Sequence, residues 1–148
     1  MSTLFAFLHH LAAFTLVSAL AIEFALIRQA LTLASARRLQ IVDTVYGTAA
    51  SALLVIGLLR VHLFEKGSGY YYGSHAFIAK LAIFLIIGLL SIIPTMEFLS
   101  WRKALRAGEV PAISAKKLRL VTAVLHGELF AIVLILLFAA MMARGGWV

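Results

Sequence analysis

Cysteine is absent from the 148 residues, which excludes disulfides, thiolate metal ligands and cysteine nucleophiles and leaves the redox compartment open. Charge is scarce as well: 13% of residues are Asp, Glu, Lys or Arg, against 64% hydrophobic, a balance outside the range of ordinary globular domains. Acidic residues are fewest, six against thirteen Lys and Arg, for a formal charge of +7. In a soluble protein that excess would suggest nucleic acid. Here the basic residues gather at the ends of apolar runs, where anionic headgroups lie, so the lipid bilayer is the expected partner and nucleic acid is not. The sequence lacks a Ser/His/Asp triad, a phosphate-binding glycine loop and a zincin helix, which argues against hydrolases and nucleoside triphosphatases. The first apolar run is longer than a signal-peptide core. It has neither a basic leader nor an A-x-A cleavage site followed by polar mature sequence, so it reads as a retained helix.

Four apolar runs dominate: Leu4 to Ile27, Ile41 to Phe64, Ala76 to Leu99 and Leu120 to Met142. Each has about 23 or 24 residues, which at 1.5 Å per residue gives roughly 35 Å, enough to cross the hydrocarbon core with some tilt. Only a helix satisfies its own backbone in lipid over such a length. The expected fold is therefore all-α: one transmembrane domain spanning residues 1–148, an integral membrane four-helix bundle with its termini on one face.

The connections sort by charge. Segments 28–40 and 100–119 carry Arg28, Arg37, Arg38, Arg102, Lys103, Arg106, Lys116, Lys117 and Arg119, whereas the opposite side has Lys66 and Arg144, with Arg60 and Lys80 just inside the helices. The positive-inside rule places the basic loops in the cytoplasm and both termini in the periplasm, in a multi-pass protein of the bacterial inner membrane. The loop Glu65–Ser74 brings Tyr70, Tyr71 and Tyr72 to the interfacial aromatic belt.

The chain also carries an internal repeat. Glu23-Phe-Ala-Leu-Ile-Arg28-Gln-Ala-Leu31 matches Glu97-Phe-Leu-Ser-Trp-Arg102-Lys-Ala-Leu105, and Ser35-Ala-Arg-Arg-Leu-Gln-Ile-Val42 matches Ser114-Ala-Lys-Lys-Leu-Arg-Leu-Val121. The offset grows between the two blocks, which places an insertion around Ala107–Pro111. Two tandem hairpins in one orientation imply a pseudo-two-fold axis along the membrane normal. Ser35 and Ser114 then read as N-caps of the second helix in each hairpin, and Glu23 and Glu97 become symmetry mates.

Ionisable groups are costly in a bilayer core, so each is a functional candidate. His9, His10, Arg60, His62, His75 and Lys80 form an outer layer; Glu23, Asp43, Glu97, His126 and Glu128 lie toward the basic face. Helical phase puts Ala12, Thr15, Ala19 and Glu23 on one stripe of the first helix, with His9 nearer to it than His10. On the second helix Asp43, Gly47, Ala50 and Gly57 share a smooth stripe suited to helix packing or to a flat cofactor. On the third, Lys80, Phe84, Ser91 and Thr95 line up, and Pro94 is expected to bend the helix. On the fourth, Thr122, Ala123 and Val133 suggest that His126 faces inward. Glu128, about 200° around the helix from it, would then face lipid, a distorted interior or a second subunit of a homo-oligomer.

Two chemical readings follow. A membrane four-helix bundle is a common frame for haem b, which needs axial imidazoles and cations for its propionates. An outer site would draw on His9 or His10 with His62, and on Arg60 or Lys80; an inner site would use His126 with Met96 beside Gly47. Alternatively, Glu23, Asp43, Glu97 and His126, one from each helix, would hold a divalent metal ion or relay protons. For Glu97, close to a helix end, pairing with Arg37, Arg38, Lys116 or Lys117 at the basic rim is the simpler expectation.

Asp43-x-x-Tyr46-Gly47, Gly57-x-x-Arg60, Phe77-x-x-Lys80-Leu81 and Pro94-Thr95 give the whole chain a resemblance to a family of uncharacterised four-helix bacterial inner-membrane proteins. Through His10-Leu11, Gly47, Lys80 and Glu128 it more distantly resembles HemJ, the membrane protoporphyrinogen oxidase that binds haem b, and the CopD membrane domain. HemJ's Asn-Glu in the last helix is Gly127-Glu128 here. The resemblance implies a haem-binding, redox-type membrane protein, a possible oxidoreductase with His10 as ligand, where helical phase selects His9.

Overall fold

The structure, a computed structural model, describes residues 2–64, 69 and 72–144. Four stretches are long and apolar enough to cross a bilayer, and they pack into an all-helical bundle. The first is α1 (Ser2–Ile27). The second is α2 (Leu33–Leu59), which continues into a π-helical turn at Arg60–Phe64. The third is built from α3 (His75–Leu90), α4 (Ile92–Ser100) and α5 (Arg102–Arg106). The fourth is α6 (Ala115–Ala143). Glu65, Lys66, Tyr70 and Tyr71, part of the expected outer loop, lie outside the described residues.

Two helices start earlier than the hydropathy runs. α2 begins at Leu33 rather than Ile41, and α6 at Ala115 rather than Leu120, so Arg37, Arg38, Lys116, Lys117 and Arg119 stand on helical turns. Hydropathy marks where lipid begins, whereas the helix extends to the first side chain that satisfies its free N–H groups. For α6 that side chain is Ser114, as expected, whose Oγ accepts from the Lys117 N–H at 3.3 Å. For α2 it is Thr32 and not Ser35. Thr32 Oγ1 accepts from the Ser35 N–H at 3.1 Å, and Ser35 Oγ accepts from the Thr32 N–H at 2.8 Å, closing a reciprocal capping box. The position matching Thr32 in the second hairpin is Pro111, which has no hydroxyl, so the cap there passes to Ser114.

The expected insertion is a C-cap. Beyond α5, Gly108 has φ +71°, its N–H donates to Leu105 O at 3.3 Å, and the Glu109 N–H donates to Ala104 O at 2.9 Å. This pair of bonds is a Schellman motif, and the left-handed backbone it requires favours glycine. The expected bend in the third span is a break at Ser91, between α3 and α4 and one turn before the buried Pro94. Proline has no N–H to give to the carbonyl four residues earlier, and the Ser91 hydroxyl turns back to donate to Gly88 O at 2.8 Å.

The spans form a ring in chain order: α1 lies against α2, α2 against α4 and α5, α3 and α4 against α6, and α6 against α1. Leu16, Leu20, Leu39, Phe98 and Leu125 fill the centre. Outward faces are apolar, with Phe14 72% exposed and Leu89, Phe130 and Leu136 comparably bare, which in water would be a liability and in a bilayer is the lipid contact. Polar bonds tie the second span to the third: Gln40 Nε2 donates to Phe98 O, and an Arg37 guanidinium N–H donates to Leu105 O at 3.3 Å.

Candidate functional site

Inside the bundle, toward the end that carries the basic loops, the interior is polar where lipid would favour oil. On α1 the helical period that buries Leu16, Ala19, Leu20 and Ile27 also buries Glu23, 1% exposed. On α2 the same rule buries Leu39, Asp43, Tyr46 and Ala49, and on α6 Val121, Leu125, Glu128 and Ile132, with Glu128 likewise 1% exposed. The sequence therefore presents three carboxyls at positions where a soluble protein would place leucine.

Glu23, Asp43 and Glu128 occupy one electrostatic layer, with Asp43 and Glu128 acting on Glu23 and Asp43 acting on Glu128. Asp43 is satisfied across the helix interface, accepting from Thr95 Oγ1 on α4 at 2.7 Å. Glu23 Oε1 and both Glu128 oxygens are buried without a hydrogen-bond partner. The Tyr46 phenol is directed at this layer and interacts with Glu128, Glu23 and Ser91, although its approach to Glu128 falls short of hydrogen-bond geometry. Among the described residues no Lys or Arg is ion-paired to Glu23, Asp43 or Glu128.

Glu97 is different. It pairs with Lys117 Nζ at 2.9 Å and accepts from Trp101 Nε1 at 3.1 Å, the rim pairing expected for it. His126 is exposed on the outer face of α6, with its ring edge-on to Phe24 at 5.7 Å. The expected orientations of α6 are thus reversed, Glu128 inward and His126 outward. Small residues suggested one rotation; the larger Val121, Leu125 and Ile132 set another, and those three mark Glu128 as inward at their own spacing. The homo-oligomer suggested by an outward Glu128 loses that support.

Glu23, Asp43, Glu97 and His126 are therefore not brought together, and among the described residues no group of three or more His, Asp or Glu has metal-binding proximity. The inner haem pair is not assembled either. Met96 is 61% exposed, and Gly47 lies on the exposed side of α2 with nothing within reach of an added Cβ.

At the end of the bundle opposite the basic loops the structure separates the first two histidines as helical phase indicated. His9 is half-buried, its Nδ1 without a partner, and it shares an electrostatic neighbourhood with Arg60, Lys80 and His10. His10 is exposed, and its Nδ1 meets Ala6 O at 2.6 Å. His62 is exposed, its Nδ1 2.9 Å from Leu58 O and its ring 6.0 Å from that of Tyr72. Lys80 Nζ lies 5.4 Å from the centre of the Phe77 ring. The smooth stripe of α2 receives His9 at Gly57, where an added Cβ would lie 3.3 Å from His9 Cε1. Glycine there admits the imidazole.

Neither the curated proteins nor the solved structures contain a match to this chain. A family model described as "Predicted membrane protein (DUF2214)" covers residues 1–146, nearly the whole chain and all four spans. Four packed apolar helices agree with that description, and the chain belongs to the DUF2214 family of membrane proteins.

Proposed function

We propose that this chain is a small proton-coupled membrane transport protein whose working site is the carboxyl layer of Glu23, Asp43 and Glu128 with Tyr46. One observation carries the reading: three carboxyl oxygens on Glu23 and Glu128 are buried without a partner. A carboxylate in low dielectric without a cation is prohibitively expensive, so such a group needs a proton or an ion. Carboxyls on three helices, with a phenol and the Thr95 and Ser91 hydroxyls nearby, supply a chain of sites among which a proton exchanges. Metal coupling is less well supported, because the carboxyls do not converge to ligand spacing. The sidedness that goes with this reading has the basic loops in the cytoplasm and both termini in the periplasm of a bacterial inner membrane.

The test is proton flux into proteoliposomes under an imposed potential, followed with an entrapped pH dye. Wild type is expected to exceed protein-free liposomes, and Glu23→Gln with Glu128→Gln to return the rate to their level. Flux that survives the double substitution, or wild-type vesicles no faster than empty ones, refutes the proposal. Because the chain has no cysteine, single cysteines at Lys103 or Tyr72 report sidedness by labelling in whole cells.

A second reading is favoured by His9: haem b at the outer end of the bundle, in a redox-type protein. Its unpartnered Nδ1, in electrostatic range of Arg60 and Lys80, suits one axial ligand with two counter-charges for propionates. Bound there, haem would supply one-electron chemistry, while the chain provides the imidazole, the cations and the dry surroundings. A Soret band that shifts on dithionite reduction and disappears in His9→Ala supports this reading; no band after expression with haem precursor removes it.

A further inference from the structure

His126 left the interior but did not become an ordinary lipid-facing residue. It lines an open groove of about 650 Å³ between the end of α1 and the start of α6, with Ile27, Arg28, Gln29, Arg119 and Thr122 among the other walls. We propose that this groove binds the headgroup and glycerol-ester region of an anionic phospholipid from the leaflet on the basic side. This inference is independent of the carboxyl layer.

Charge is the first reason. Two guanidiniums, an imidazole, a carboxamide and a hydroxyl line the groove, and none of its lining residues is acidic. Basic recesses between transmembrane helices on the basic side select anionic headgroups. Prearrangement is the second. The Phe24 ring holds both lips, with the Arg28 guanidinium 5.3 Å above its centre and the His126 ring at 5.7 Å against its edge. Arg28 is thereby ordered toward the groove instead of ranging through solvent.

Depth is the third reason, and it selects a lipid over free phosphate. Arg28 is the first residue beyond the apolar span of α1, and Arg119 immediately precedes the apolar run that starts at Leu120. Both guanidiniums thus sit where lipid phosphates lie. His126 stands seven residues further along α6, about 10 Å deeper at the helical rise, where a phospholipid carries ester oxygens and its first methylenes. Free phosphate has nothing to offer at that depth. A lipid presents acceptors to His126 and Thr122 and hydrocarbon to Ile27, Leu118 and Ala123.

The experiment is native mass spectrometry of the detergent-purified full chain with dioleoyl phosphatidylglycerol, dioleoyl phosphatidylcholine or inorganic phosphate. Phosphatidylglycerol is expected to be retained about thirtyfold better than phosphatidylcholine, the combined effect of two cations at a lipid surface. Arg28→Ala with Arg119→Ala should abolish that preference, and the same pair changed to Lys should keep most of it. His126→Ala should weaken phosphatidylglycerol a few-fold without altering phosphate binding. Arg102→Ala with Arg106→Ala, exposed but outside the groove, should change nothing. Circular dichroism of each variant verifies that it is folded. Equal retention of the two lipids, equal loss in the Arg102/Arg106 control, or displacement of lipid by inorganic phosphate would each overturn the proposal. So would a dimer held by this face that excludes lipid.

Discussion

Glu23 and Glu97 occupy matching places in the two repeated sequence blocks, yet they end in opposite circumstances. Glu97 lies beside Lys117 and Trp101 at the rim, its charge answered by a cation that is itself 60% exposed. Glu23 is sealed against α2 and α6 with one oxygen unpartnered and two further carboxyls in its layer. The surroundings differ because the second block carries Trp101 where the first has Ile27, folds as α5 where the first ends in a turn, and is followed by a five-residue insertion closed at Gly108. Matching sequence positions thus end as an answered charge at the rim in one case and as a buried, partly unpartnered carboxyl in the other.

Substitution tests that contrast from the largest effect downward, using stability in mixed micelles followed by circular dichroism. Glu23→Ala is expected to cost about 2 kcal/mol or more, since it empties the space of a side chain that is 1% exposed in the packed interior. Glu97→Ala should cost about 1 kcal/mol, the scale of an exposed ion pair and one hydrogen bond. Equal costs would dissolve the distinction between the two glutamates.

Next is Thr95→Val, which removes the donor to Asp43 and should cost about 1–3 kcal/mol by leaving a buried acceptor unpaired. A neutral result would mean that Asp43 is served by another group and that the carboxyl layer extends differently from the geometry described.

The helix starts give a smaller contrast. Thr32→Ala and Ser114→Ala should each cost about 1 kcal/mol, with Ser35→Ala below Thr32→Ala because its Oγ serves the N–H of the cap residue and not one of the helix's own free N–H groups. If Ser35→Ala costs more than Thr32→Ala, the two hairpins are capped alike after all.

Smallest of all is the pair of glycines on α2. Gly47→Ala meets open space and should gain a few tenths of a kcal/mol from helix propensity. Gly57→Ala presses on His9 at 3.3 Å and should lose up to about 1 kcal/mol. That loss should disappear when His9 is also Ala.

Much of the site was visible in the sequence, though not its assembly. Glu23 on the small-residue stripe, His9 in preference to His10, and the pairing of Glu97 were all readable from helical phase and distance to a helix end. The rotation of α6 was not. A repeat of 3.6 residues fixes the angle between His126 and Glu128 but not which of them points inward, and small and large residues on that helix mark different faces. The start of α2 was read three residues late, at Ser35, because that serine is the second member of a capping box and either of its two hydroxyls could have been the cap.

What the sequence determined by itself is the number of spans, their helical state and their immersion in lipid. Hydrophobic transfer and backbone satisfaction accumulate residue by residue along a segment, and neither requires a neighbour. What only the tertiary structure decided is which polar groups come together: Glu128 into one layer with Glu23 and Tyr46, Asp43 onto Thr95, and His126 and Arg28 each onto the Phe24 ring. Those encounters depend on how four helices rotate against one another. That rotation is set by the joint packing of all their faces and not by any one of them.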